Sequence, residues 1–265
     1  MDLGLKDKKV VVSGAANGIG AHTLKRLVDE GAYPIGIDIE PFKGSEVSEY
    51  VNENQCKFYQ GDASDEKRMR EIFEKVPVIH GLVNNAGLLG GDSAHGGRSL
   101  GSWHKLMNAH ATPAFVLTEI CYPKMPKGGS IVNNGSIELD MPAPDIVLYT
   151  SAKGALYGLT VSYSTLLGPK GIRVNMVSPG NVTTRRNVVQ YVKNPEIIQH
   201  FERKTPLGRS VEPDEVADLI LFLLSEKASA ITGQNYRIDC GYTRALLDPS
   251  WTSKDLGDIY GQTTK

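Results

Sequence analysis

Short apolar runs alternate with longer stretches of helical periodicity along nearly the whole chain. Val10-Val11-Val12, Pro34 to Asp38, Lys57 to Gln60, His80 to Asn84, Ser130 to Asn133, Ile172 to Val177 and Tyr236 to Ile238 have the length and composition of buried strands. Between them, helical patterns run up to Glu30, over 45–52, over 65–75 with Asp65 as N-cap, up to Tyr122, from about Val147 to Leu167, and from Pro213 to Leu224. Strands that are apolar throughout, and separated by helices, belong to a parallel sheet covered on both faces. The pattern therefore predicts one α/β domain over 1–265, a doubly wound sheet of about seven parallel strands. Within it, 181–210 reads as a loop-rich region with short helices. The tail 246–265, with Trp251 and Tyr260, reads as a cap over a site or a grip on a neighbouring subunit.

Chemistry enters at the strand ends. Gly14, Asn17, Gly18, Ile19 and Gly20 follow the first strand and open a helix, so backbone amides and the positive helix end can face a pyrophosphate. Asp38 ends the second strand eighteen residues after Gly20, where a carboxylate can hold both hydroxyls of an adenosine ribose, with Ile39 beside it. A 2′-phosphate within ~4 Å of that carboxylate would meet about 4 kcal/mol of repulsion per unit charge at an effective dielectric of 20. No Arg or Lys among Ala15, Ala16, Asn17, Ile39 and Glu40 offsets it, so NAD is expected rather than NADP. Asp62 and Ala63 close the third strand near the adenine edge, and Asn85, Ala86 and Gly87 close the fourth at the cofactor crevice. Tyr149 and Lys153 are four residues apart, hence on one helix face, and Ser136 precedes Tyr149 by thirteen residues. An ammonium about 5 Å from a phenol contributes roughly 3 kcal/mol, about two pKa units, and makes Tyr149 a candidate acid/base near neutral pH.

In Gly14-x-x-x-Gly18-x-Gly20, Asn84-Asn85-Ala86-Gly87, Asn108, Ser136, Tyr149-x-x-x-Lys153, Pro179-Gly180 and Gly233-Gln234, the chain resembles the short-chain dehydrogenase/reductase family over nearly its whole length. The resemblance implies a Rossmann-type domain, a homotetramer or homodimer, and interconversion of a secondary alcohol and a ketone by hydride transfer. It implies Tyr149 as acid/base, Ser136 on the substrate oxygen, and Lys153 on both the phenol and the nicotinamide ribose. Asn108 would hold a helix kink and a water linked to Lys153. Pro179, Gly180, Val182 and Thr184 would then line the nicotinamide end, and 181–210 would be the substrate-loop region. Cys240 stands where the family often has glycine.

Composition narrows the partners. The 29 basic and 30 acidic residues nearly balance without blocks of like charge, which points to small molecules and away from nucleic acid or a membrane surface. Cys56, Cys121 and Cys240 are scattered without a C-x-x-C, so reduced thiols are expected and no metal site. The charged start suggests no secretion signal and a cytoplasmic protein. Glu138, Arg185 and Arg186, with His95, Arg98, Asn187 and Tyr191, are the substrate candidates. Adjacent guanidinium groups suggest a polar or anionic substrate, because guanidinium binds carboxylates bidentately. Two alternatives remain open on the residues: a reductase of 3-oxoacyl thioesters, and a catalytically idle dinucleotide sensor.

Overall fold

The computed structural model describes residues 2–245, without the side chains of positions 190 and 191; the tail 246–265 lies outside the described residues. Seven strands form one sheet: β1 (Lys9–Ser13), β2 (Tyr33–Asp38), β3 (Lys57–Gln60), β4 (Gly81–Asn84), β5 (Ser130–Asn134), β6 (Arg173–Pro179) and β7 (Asn235–Ile238). Their order is β3-β2-β1-β4-β5-β6-β7 and each pairing is parallel. The helices are α1 (Gly18–Asp29), α2 (Val47–Tyr50), α3 (Glu66–Glu74), α4 (Leu100–Cys121), α5 (Val147–Leu167), α6 (Arg185–Lys193), α7 (Pro195–Lys204) and α8 (Pro213–Leu224), with short 3-10 turns between. This is the doubly wound, Rossmann-type arrangement expected from the alternation of strand and helix patterns.

Alternate residues of each strand serve opposite faces. Val10, Val12, Val83, Val132 and Val177 pack against Leu24 and Leu27 of α1 and Ile220 and Leu223 of α8. Val11, Ile35, Ile37, Leu82, Ile131 and Val174 pack against Met69 and Phe73 of α3, Leu117 and Ile120 of α4 and Leu167 of α5. Burying a side chain of this size contributes about 1.5–3 kcal/mol, which is why continuous apolar strands give this sheet and not a solvent-facing one. The helix predicted over 45–52 contracts to α2, since Ser45 and Ser48 spend their hydroxyls on the carbonyls of Phe42 and Ser45, and Val51 is extended at φ −134°. Asp65 caps α3 as predicted, its side chain accepting from the Arg68 amide at 3.0 Å.

Chain order reverses between β1 and β4, which opens a crevice at the strands' carboxyl ends. Cys240 sits just past β7 with φ +54°, a left-handed conformation that favours glycine and that a side chain occupies only under strain. Among the described residues, no helix is long and apolar enough to cross a membrane.

Candidate active site

The glycine loop leaves β1 at the crevice and turns into α1. A Cβ on Gly20 would be driven into the Gly14 carbonyl and within 2.7 Å of the Asn85 amide nitrogen, so only glycine lets the helix start this close to the strand end. Helix α1 has no side-chain cap from Asn17 and no acidic residue in its own first turn; its positive end suits a phosphate, with the Gly18 amide engaged by Glu46. Thr184, carried over from the end of β6, faces the same loop; its methyl is 3.2 Å from where a Gly18 Cβ would stand. Asp38 accepts from the Ala16 amide at 2.9 Å and the Glu40 amide at 3.0 Å. Each carboxylate oxygen so engaged keeps acceptor capacity for a ribose hydroxyl. Ile39 beside it is exposed, Asp62 folds its carboxylate back onto Ser64 at 2.8 Å, and Ala63 is buried. The glycine loop, the start of α1 and Asp38 thus fit a dinucleotide.

A second carboxylate stands at the same loop. Glu46, buried ahead of α2, accepts from the Gly18 amide at 2.9 Å, from the Tyr50 hydroxyl at 2.9 Å and from His22 at 3.3 Å. Burial alone would raise its pKa, but the hydrogen bonds from His22, Gly18 and Tyr50 outweigh this and hold it near 2.

From the loop a polar chain runs to the catalytic candidates. Asn85 gives its amide group to the Gly14 carbonyl at 3.0 Å and accepts from Asn134 at 2.8 Å. The backbone carbonyl of Asn134 in turn accepts from Lys153 Nζ at 2.6 Å. One layer below, Asn84 donates to Asn133 and Asn133 to Thr160, both at 2.8 Å, across the register that pairs Asn84 with Asn133. The side-chain oxygen of Asn134 is buried and unpaired. The Asn133-Asn134 doublet mirrors Asn84-Asn85 in sequence, a signal that could have exposed this layer.

Tyr149 and Lys153 share one face of α5, with Lys153 Nζ 5.7 Å from the phenol ring centre. The helix that carries them is started from afar: Asp92, buried in a 3-10 turn of the glycine-rich loop, accepts from the Val147 and Leu148 amides, each at 3.0 Å. Burial is the largest influence on both groups. It pushes the Tyr149 phenol up to about 12, with Glu138 adding to the rise and a hydrogen bond with Ser136 opposing it, and it pulls Lys153 down to about 7. The expected depression of the phenol is overridden: burial and Glu138 both raise it, and the Ser136 hydrogen bond alone opposes them. Ser136, also buried, accepts from the Glu138 amide at 3.2 Å.

Glu138 is half-buried, accepts from the Ala143 amide at 3.0 Å, and has its pKa raised by burial. Arg185, expected at the substrate, makes a bidentate pair with Glu49 at 2.7 and 2.5 Å and lies 3.6 Å from Glu46, so its guanidinium is engaged by this chain's own carboxylates. Arg186 is exposed on α6. Asn108 is exposed, its side chain accepting from Thr112 at 3.0 Å, and α4 runs through it as continuous helix. The α4 residue against the phenol is instead His110, which motif reading passed over. Val182 is buried in a bridge with Val211, and Pro179 and Gly180 end β6 with Gly180 tight against Asp239. Among the described residues no cluster of His, Cys, Asp and Glu could hold a metal ion, and the three cysteines are free.

The Enoyl-(Acyl carrier protein) reductase family model matches residues 14–243. D-xylose 1-dehydrogenase of Caulobacter vibrioides is 34% identical over 244 residues, covering 90% of this chain and 96% of that protein. The 3-oxoacyl-[acyl-carrier-protein] reductase FabG of Aquifex aeolicus is 32% identical, with 91% and 99% covered. The ligand-free structure of Thermoplasma acidophilum aldohexose dehydrogenase superposes with a TM-score of 0.82 at 27% identity, covering 94% of this chain and 99% of that one. Likeness of this extent, in a chain whose sheet brings the glycine loop and the Ser136, Tyr149 and Lys153 side chains to one crevice, shows that it belongs to the short-chain dehydrogenase/reductase family of oxidoreductases.

Proposed function

We propose that the protein is an NAD-dependent dehydrogenase that oxidises a secondary hydroxyl of a neutral, polyhydroxylated or cyclic substrate, with Tyr149 as acid/base. The carrying observation is the convergence of Ser136, Tyr149 and Lys153 beside a loop that fits a dinucleotide. When bound, the cofactor supplies the hydride acceptor and a positive ring. Tyr149 takes the hydroxyl proton as hydride leaves carbon; Ser136 holds the same oxygen and steadies its charge; Lys153 offers an ammonium to the phenol and to the ribose. The network from Gly14 through Asn85 and Asn134 to Lys153 keeps these groups in register with the cofactor loop.

NAD over NADP is supported by Asp38, whose carboxylate stands at the second-strand end where a 2′-phosphate would lie. A neutral substrate is supported by Glu138, a carboxyl whose charge is felt at the phenol, and by the pairing of Arg185 with Glu49. The sugar dehydrogenases among the relatives lean the same way. The deciding assay compares kcat/KM with both cofactors over pentoses, hexoses, polyols, cyclic diols, hydroxy acids and 3-oxoacyl thioesters. Neutral polyhydroxy compounds with NAD should lead, with NAD favoured by about a hundredfold or more, as expected for close anionic repulsion only partly screened. Preferential NADPH-dependent reduction of 3-oxoacyl thioesters would instead establish the rival reductase.

Assembly into a homodimer or homotetramer belongs to the same proposal. Trp103 and Phe115 on α4, and Tyr157, Val161 and Leu166 on α5, are large apolar side chains left at the surface of two helices that pack together. Light scattering after gel filtration should give two or four times 28.8 kDa; a monomer at assay concentration would exclude it.

A further inference from the structure

His110 belongs to no motif, yet its ring lies perpendicular to that of Tyr149 with the centroids 5.2 Å apart. It is buried at 3% exposure in the middle of α4. Its Nε2 is 3.2 Å from the Leu88 amide and 3.1 Å from the Leu88 carbonyl, so either neutral tautomer finds a partner in the turn after β4. Its Nδ1 is buried without a partner. The turn is shaped around the ring: a Cβ on Gly87 would come within 2.5 Å of Cε1 and 2.6 Å of Nδ1. Gly87 does not have a left-handed φ, so the imidazole, and not the backbone angle, demands glycine there.

We propose that His110 is a positioning residue for Tyr149, clamping the phenol ring against the turn at the fourth strand so that its hydroxyl meets Ser136 and the substrate oxygen. The proposal rests on Tyr149 being the acid/base. Edge-to-face packing fixes the ring's tilt, and the Leu88 bonds fix the imidazole. A clamp of this kind has to stay uncharged, because a cation facing Lys153 would disturb both catalytic groups. Burial first, then the charges of Lys153 and His95, press the imidazole well below the usual histidine range, with only the Leu88 hydrogen bond opposing. Tyr149 for its part faces Ser136 and Glu138. Position 110 is therefore a place where a polar ring is kept dry and neutral beside the reacting phenol.

Two variants separate ring from anchor. His110→Phe keeps an aromatic ring and loses the Leu88 bonds; His110→Gln can keep the Leu88 bonds and loses the ring. With NAD and substrate saturating, His110→Phe should lower kcat about tenfold, leave KM for NAD within twofold, and move the rise of oxidation rate to higher pH, because a wholly apolar neighbour makes the phenolate harder to form. His110→Gln should recover the position of that pH limb but not the full kcat. Tyr149→Phe is run alongside. If it is inactive while both His110 variants keep kcat within twofold and the limb unmoved, the clamp is wrong and the acid/base assignment stands; an active Tyr149→Phe overturns the assignment itself. Ring ¹⁵N shifts of histidine-labelled wild type give a test free of folding defects. One ring should remain neutral from pH 6 to 9, and that signal should be absent in His110→Gln; a wild type whose six imidazoles all titrate in that range would overturn the proposal.

Discussion

Tyr149→Phe is expected to lower turnover by about 10³-fold or more while NADH still binds, as read by the enhancement of nicotinamide fluorescence. The change removes one oxygen and keeps the ring that packs on His110, so loss of rate reports the hydroxyl and not the fold. Positioned proton transfer contributes about 10²–10⁴-fold, and the hydrogen bond with Ser136 is lost as well. With the phenol pushed up to about 12, its proton is firmly held. The form needed for oxidation is the deprotonated one, so oxidation should accelerate as pH rises and reduction should slow. Lowering of the phenol to a working range has to come with a bound cation and a charged Lys153. An intact rate in Tyr149→Phe would end the assignment.

Lys153→Met is expected to move activity and stability in opposite directions. Turnover should fall by a factor comparable with that for Tyr149→Phe, because the phenol loses its ammonium and the ribose its donor. Stability should rise. Lys153 is 4% exposed and its pKa falls from 10.5 in the unfolded chain to about 7 in the folded one, so burial penalises the charged form. At about 1.36 kcal/mol per unit that is roughly 5 kcal/mol as an upper bound, from which an orphaned Asn134 carbonyl takes back about 1–3. The net gain near pH 7 is of order 2 kcal/mol, or some 4–8 °C in Tm for a chain of this size. The sign follows from proton binding. Between pH 7 and 10.5 the unfolded chain holds the proton more strongly, so wild-type stability climbs with pH and the advantage of Met should shrink over that window. A variant that melts lower than wild type at pH 7 would mean that the Asn134 bond outweighs the desolvation of the ammonium.

Placement of the glycine loop, Asp38, Tyr149 and Lys153 was legible because each lies in a local pattern: glycines after a strand, an acid at the next strand end, two residues one helical turn apart. The pairing of Arg185 was illegible for the opposite reason. Its partner Glu49 is 136 positions away, and a bidentate ion pair leaves no trace in local spacing. Asp92 likewise starts a helix from 55 residues upstream. His110 carries no motif, and its meaning arises only when α4 is laid against Tyr149.

By itself, then, the order of apolar and polar residues determined a parallel sheet clad in helices and the strand ends at which chemistry gathers, because periodicity and turn chemistry act within a few residues. Tertiary structure alone decided the state of the groups gathered there. Burial made the phenol harder to ionise and the ammonium easier to discharge, turned one arginine into a strut between α6 and α2, and set an imidazole against the phenol. Charge and proton affinity depend on how much water a group has lost and on what the rest of the chain has brought beside it, and neither quantity exists until the chain is folded.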